Sequence, residues 1–299
     1  MNNGPNESER DMKRPSNPLR CVIIGDLHVG GVCSVADPAA CGQHPVCGAL
    51  YETYASAATG PHARPDVLIV MGDAIEGQNR KEGGIGNWTN DLLEQARHAA
   101  ELINMWKAKA VFVIRGSNYH AVAAGSGLHV EEIMARQVVN AQPCPGSPDN
   151  RSGWQWFVTL SGLTFHLQHK LGISKVWHYR STPMAREMLY SRLGDALRDQ
   201  MGHSKTSVTI RGHAHYYLHV EHSTTHGWVA PCWKCLDGYM ESNGALAIAP
   251  DIGYIAITIN GESLSYEKRL WKATQAQPAP HTVISGNLRS ARRHRHSRP

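Results

Sequence analysis

Five short segments carry residues that can hold a metal ion. They are Asp26-Leu27-His28, Gly72-Asp73, the loop Gly116-Ser117-Asn118-Tyr119-His120, His169, and Gly212-His213-Ala214-His215. In an extended segment, residues i and i+2 point to the same side. Asp26 and His28 can therefore reach one ion together. His213 and His215 can do the same, or can divide between two ions. Carboxylate, amide oxygen and imidazole in this mixture suit Mn²⁺, Fe or Zn²⁺ rather than Ca²⁺. Each segment alone is weak: a single D-x-H is usually a surface or structural feature, and Gly-Asp after a strand is often only a turn. The ordered set of all five is the informative feature, and it accounts for part of an excess of His, 18 in 299 residues.

The elements around these segments explain how they would be brought together. Cys21–Gly25, Val67–Met71 and Val111–Ile114 are short apolar runs that stop at Asp26, at Gly72-Asp73 and at Arg115-Gly116. Such runs suit strands buried on both faces, and open α/β sheets bind ligands beyond the carboxyl ends of their strands. Residues Asp91–Lys107 show apolar positions at helical spacing, with Asn90 or Asp91 to cap the start. Leu128–Val139 reads as a second helix, and Thr182-Pro183 opens a third that runs to about Met201. The other half of the chain is β-rich. Trp154–Leu160 and Leu163–His169 form a hairpin about Ser161-Gly162. Further strands are expected at Val208–Arg211, Tyr216–Glu221, Trp228–Ala230, Gly253–Ile259 and Ser263–Tyr266. The layout predicts an α/β fold with helices outside a central pair of sheets.

The ordered motifs D-x-H, GD, G-x-N, H and GHxH resemble those of the calcineurin-like metallophosphoesterase superfamily over roughly residues 20–260. The resemblance implies an α/β metallophosphoesterase-type β-sandwich, two mixed sheets flanked by α-helices. It also implies two divalent transition-metal ions, Mn²⁺ foremost, with Fe or Zn²⁺ as alternatives. One ion would be held by Asp26, His28, Asp73 and His215. The other would be held by Asp73, Asn118, His169 and His213, with Asp73 bridging. Two ions about 3.5–4 Å apart acidify a bridging water and bind phosphoryl oxygens, which permits in-line attack on phosphorus.

One motif departs from the family pattern. The usual Gly-Asn-His is here Gly116-Ser117-Asn118-Tyr119-His120. With Asn118 as ligand, a loop one residue longer would bring His120 to the place of the catalytic general acid, which is the reading adopted; Ser117 is the other candidate for the ligand position. His166 rivals His169, which lies nearer the Gly172 break and is preferred. Glu76 could orient a ligand. Arg115 and Arg211, each beside a motif, could bind substrate phosphate through paired contacts, or form structural salt bridges.

Composition bounds the rest. A 41% hydrophobic share supports a sizeable core, and no apolar run approaches the roughly 20 residues of a membrane span. The expectation is a cytoplasmic protein without membrane association, divided into a flexible segment 1–19, a phosphoesterase domain 20–275 and a flexible basic tail 276–299. The tail carries Arg289, Arg292, Arg293, Arg295 and Arg298, within a net charge of +5. A basic tail can hold nucleic acid, so the leading substrate is a phosphodiester, nucleic acid included. A phosphomonoesterase and a non-catalytic scaffold are the alternatives, and the sequence leaves protein partners open. Residues 31–59 read as an insert or lid. Seven cysteines in a chain this long read as reduced thiols, although Cys232 and Cys235 with Cys33, Cys41 and Cys47 could hold a structural zinc.

Overall fold

In β1 (Leu19–Ile24) and β2 (Val67–Val70), successive side chains enter two different cores. Cys21, Ile23 and Ile69 join one apolar cluster, while Val22, Ile24, Leu68 and Val70 join another. A strand that buries both faces must lie inside a layered structure, and this one does. The computed structural model describes residues 17–80, 83–122, 127–174, 176–199, 205–238, 240, 249–261 and 263–272. Residues 1–16 and the basic tail 276–299 lie outside the described residues.

One sheet has six strands in the order β11-β10-β1-β2-β3-β4, with β3 at Ala110–Ile114, β4 at Ser152–Gly153, β10 at Ile252–Asn260 and β11 at Ser263–Trp271. The other has five, in the order β5-β6-β7-β9-β8. These are β5 (Gln155–Leu160), β6 (Leu163–Gln168), β7 (Thr206–Arg211), β8 (Leu218–His222) and β9 (Thr225–Val229). Both sheets are mixed. β1 to β4 are parallel, β10 and β11 antiparallel; β6, β7 and β9 are parallel, β5 and β8 antiparallel.

The sheets face each other across Ile23, Ile69, Ile255 and Ile257 on one side and Trp156, Phe165, Leu167, Ile210 and Trp228 on the other. Helices α1 (Pro45–Thr59), α2 (Leu92–Asn104) and α4 (Val130–Ala135) cover the outer face of the first sheet through Leu50, Tyr54, Ala99, Ile103 and Met134. Helix α5 (Ser181–Asp199) covers the second through Met184 and Met188. The result is four layers, helix-sheet-sheet-helix, as expected from the α/β reading. Asp91 caps α2 as anticipated, accepting from the N–H of Leu93 at 2.9 Å and of Glu94 at 3.3 Å. Ser161 and Gly162 both take positive φ, 47° and 90°, which sets the tight β5–β6 hairpin. The segment 31–59 is not free-standing: its second half is α1, whose buried face is part of the core. No helix among the described residues is long and apolar enough to cross a membrane.

Candidate metal centre

Parallel strands in both sheets place their carboxyl ends at one end of the sandwich. Asp26 follows β1, Asp73 follows β2, Ser117 follows β3, His169 follows β6 and His213 follows β7. The loops are tied edge to edge by the backbone. Asp26 N–H donates to Gly72 O at 3.0 Å, His28 N–H to Asp73 O at 2.9 Å, Gly212 N–H to His169 O at 2.9 Å and Trp233 N–H to Asp26 O at 3.0 Å. Gly72 sits at φ 86°, and a Cβ there would lie 2.8 Å from Gly116 Cα and from His169 Nδ1. Only a residue without a side chain lets these loops approach so closely.

Five of the expected ligands hold left-handed backbone: Asp26 (φ 49°), His28 (51°), Asp73 (45°), His213 (70°) and His215 (57°). Each such residue costs on the order of 1–3 kcal/mol, and clusters of them mark functional sites. Their side chains converge in two groups. In the first, His28 Nε2 lies 3.1 Å from His215 Nε2, Asp26 Oδ1 lies 3.3 Å from His215 Nε2, and His28 Nε2 is 3.9 Å from Asp26 Oδ1. Donors each about 2.0–2.2 Å from one ion are separated by roughly these distances. In the second, Asp73 Oδ2 lies 3.0 Å from His169 Nε2 and 3.9 Å from His213 Nδ1. His169 Nε2 is buried and faces the Asp73 carboxylate without a well-aligned hydrogen bond, so the nitrogen and the carboxylate face a common point. Asp73 also groups with His28 and His120, which places it between the two sets.

The surroundings prepare these groups for a cation. Met71 O accepts from His169 Nδ1–H at 2.6 Å, which leaves Nε2 to face the centre. Glu76 Oε2 lies 3.0 Å from His28 Nδ1 and 2.9 Å from Lys234 Nζ. Burial, with Lys234 assisting, pushes His28 down to about 4, so it stands neutral at neutral pH. For His169, burial acts downward but the Asp73 carboxylate outweighs it, and the imidazole rises to about 10. Burial would raise Asp73, but His169 and His120 hold it well below the ordinary carboxylate range.

The departing loop resolves differently from the expectation. Asn118 is exposed and opens the short helix α3 (Asn118–Ala121). It is Ser117 that reaches Asp73: its N–H donates to Oδ1 at 2.7 Å, and its hydroxyl lies 3.1 Å from the same oxygen. The physical reason is local. Glu131 accepts from Gly116 N–H at 2.5 Å and from Ala74 N–H at 2.8 Å, clamping the loop so that its next residue faces Asp73. Helix α3 then turns Asn118 outward. His120 does reach the centre. Its Nδ1–H donates to Glu76 O at 2.5 Å, and its ring meets His28 edge-on at 4.7 Å.

Arg115 and Arg211 are also placed otherwise than expected for phosphate ligands. Arg115 is 8% exposed; its Nε–H donates to Ser152 Oγ at 2.8 Å, and its Nη2 reaches Glu132 at 3.4 Å. Arg211 is fully buried and donates to Ile210 O at 2.9 Å and to Glu187 at 3.1 Å. Both lie at strand ends beneath the loops, where a guanidinium satisfies buried acceptors rather than facing solvent. His166 is structural too, held by Gln155 and by Ser191 at 2.6 Å each.

Two residues at the site escaped the sequence reading. Glu131 shares a helix face with buried Met134 and Ala135, the one signal that it points inward. Burial and the nearby Asp73 push its carboxyl up to about 7. Lys234 stands in the apolar run Val229–Leu236, a context that marks a lysine as buried and paired. It lies between Cys232 and Cys235, whose thiols are free and buried. Cys41 and Cys33 neighbour Cys47, but among the described residues no group of three ligand atoms within 4.8 Å of one another includes a cysteine.

No family model matches the sequence, and no curated protein matches it. Solved structures similar to it include zinc-complexed Vps29 from Entamoeba histolytica, at 11% identity and TM-score 0.40, covering 84% of this chain and 99% of that one. A predicted phosphoesterase from Streptococcus pneumoniae matches at 9% identity and TM-score 0.34, over 85% and 99% of the two chains. A novel archaeal phosphodiesterase matches at 11% identity and TM-score 0.37, over 84% and 100%. The order of the ligand segments and the two mixed sheets that carry them are this chain's own. In both, it resembles the calcineurin-like metallophosphoesterases.

Proposed function

We propose that the chain is a dinuclear metal-dependent phosphoester hydrolase acting on phosphodiesters, nucleic acid among them. The observation that carries this reading is the pair of largely buried donor groups meeting at Asp73. Asp26, His28 and His215 would hold one divalent ion; Asp73, His169 and His213 would hold the other, with Asp73 shared. The donor set fits Mn²⁺ first, with Fe or Zn²⁺ as alternatives. When bound, such ions supply Lewis-acid charge for phosphoryl oxygens and acidify water. Lys234 and Glu76 orient His28, and Met71 O orients His169, so these donors are set before any ligand arrives. Glu131 fixes the loop that presents Ser117 to Asp73. His120 is held through Nδ1 and would carry a proton at Nε2 for the departing oxygen.

The basic tail and net positive charge favour diesters on a polyanion over small monoesters. The test is hydrolysis of bis-(p-nitrophenyl) phosphate and p-nitrophenyl phosphate by Mn²⁺-loaded protein, with metal counted on the same sample. Two ions per chain and turnover of the diester are expected. A folded, metal-loaded protein that turns over neither ester would favour the scaffold reading, to which the hydroxyl of Ser117 in place of an amide already points. Turnover of the monoester alone would make it a phosphomonoesterase.

A further inference from the structure

The β8–β9 hairpin carries a second cluster of metal-capable side chains that shares no residue with the centre above. Its register pairs His219 with Trp228 and Glu221 with His226. Directly opposed residues and their i+2 neighbours lie on one face of a hairpin, so all four side chains stand together. Trp228 is fully buried and forms the floor. Both imidazoles stack on it nearly flat, His219 at 4.6 Å and 7°, His226 at 5.1 Å and 11°. The two rings are also nearly parallel to each other, at 12°. The stacking holds both in one orientation without any ion.

We propose that His219, Glu221 and His226 bind a divalent transition-metal ion, Zn²⁺ or a neighbour of similar chemistry, at the rim of the sandwich. His219 Nε2 lies 3.2 Å from His226 Nδ1. Two imidazole nitrogens, each about 2.0–2.1 Å from a tetrahedral ion, stand about 3.3 Å apart. One ligand atom from each of the three residues lies within 4.8 Å of the others. The hydroxyl of Tyr266, on β11 of the opposite sheet, lies 3.0 Å from His219 Nδ1. That contact occupies the nitrogen not needed for the ion and leaves Nε2 to coordinate, as a metal-bound histidine requires. Burial and the neighbouring His226 hold His219 below its ordinary value, which favours the neutral, coordinating form. The two histidines are half-buried and Glu221 is exposed, so the ion has an entry path and an open position for water.

Two histidines and one glutamate with an open position form a donor set typical of zinc. Here its position gives it a different task. β8 is the edge strand of its sheet, and β11 is the edge of the other. Through Tyr266 the ion would clamp the two edges to each other, closing the sandwich on the side away from α4 and β4.

The test uses untagged full-length protein, stripped with chelator, equilibrated with Zn²⁺, desalted and counted by elemental mass spectrometry. His226→Gln and, separately, Glu221→Gln are compared with wild type. The Glu221 side chain is exposed, so that variant keeps the fold. His226→Gln is expected to lose one zinc equivalent per chain, and Glu221→Gln to bind that equivalent more weakly, while hydrolysis of the aryl diester by either variant stays at the wild-type rate. In the paired variant Asp73→Asn/His215→Ala, which disables the main centre, the rim equivalent is expected to remain and to disappear when His226→Gln is added. Equal zinc content in wild type, His226→Gln and Glu221→Gln would overturn the proposal and leave a direct imidazole–imidazole hydrogen bond as the reason for the 3.2 Å contact.

Discussion

Lys234→Met is the sharpest test of how the centre is held. Lys234 is 4% exposed, with Nζ 2.9 Å from Glu76 and 2.7 Å from Asp237. Glu76 is 3% exposed and otherwise faces His28, which burial keeps neutral. Removing the ammonium therefore strands a buried carboxylate. Breaking a buried pair by deleting one partner costs about 3–5 kcal/mol. In a domain of this size each kcal/mol shifts the melting temperature by about 2–4 °C, so a fall of about 6–20 °C is expected. The assay is thermal unfolding followed by circular dichroism on chelator-treated protein, so that metal binding does not contribute. Adding Glu76→Gln removes the stranded charge and is expected to recover part of the loss, with a coupling of about 0.5–3 kcal/mol in the double-mutant cycle. The sign with pH follows from Glu76. Burial would raise it, but Lys234 and His28 outweigh burial and lower it. Its stabilisation is thus present above the ordinary value of 4.5 and fades only as pH falls through the depressed folded value. The difference between wild type and Lys234→Met should be full at pH 7 and shrink in acid. A melting temperature within about 2 °C of wild type at pH 7 would refute the ion-pair account.

Further tests separate the roles of neighbouring residues. If Ser117 rather than Asn118 faces Asp73, Ser117→Ala should weaken metal retention at the Asp73–His169–His213 group, while Asn118→Ala should leave metal content and turnover close to wild type; the reverse pattern restores Asn118 as the ligand. His120→Ala should cut turnover by roughly 10²–10⁴-fold on a substrate with a poor leaving group, with both ions retained and a smaller penalty on a nitrophenyl ester. Unchanged turnover on the poor substrate would remove His120 from proton transfer. Glu132→Ala should destabilise the protein by about 3–5 kcal/mol, because Arg115 and Ser152 lose their buried acceptor. Burial would raise the Glu132 carboxyl, but Ser152, Arg151 N–H and Arg115 outweigh it and lower it. This stabilisation too is lost as pH falls, and urea denaturation at pH 7 and in acid measures both effects.

The sequence by itself picked out most of the side chains that converge, since Asp26, His28, Asp73, His213 and His215 sit immediately after short apolar strands. Strand pattern and strand end are local properties, readable from residues a few positions apart. The layered α/β architecture followed from the same runs, because strands buried on both faces need covering elements on both sides. Tertiary structure alone decided the remainder. Whether Ser117 or Asn118 meets Asp73 depends on Glu131 and on where α3 begins, and no spacing within Gly116–His120 distinguishes them. Arg115 and Arg211 stand beside the motifs in sequence, but their partners Glu132 and Glu187 lie 17 and 24 residues away. Only folding shows that they are engaged beneath the loops. Lys234 meets Glu76 across 158 residues, and His219 meets Tyr266 across 47. Such contacts are fixed by sheet order and register, which bring distant segments side by side for reasons that none of those segments carries alone.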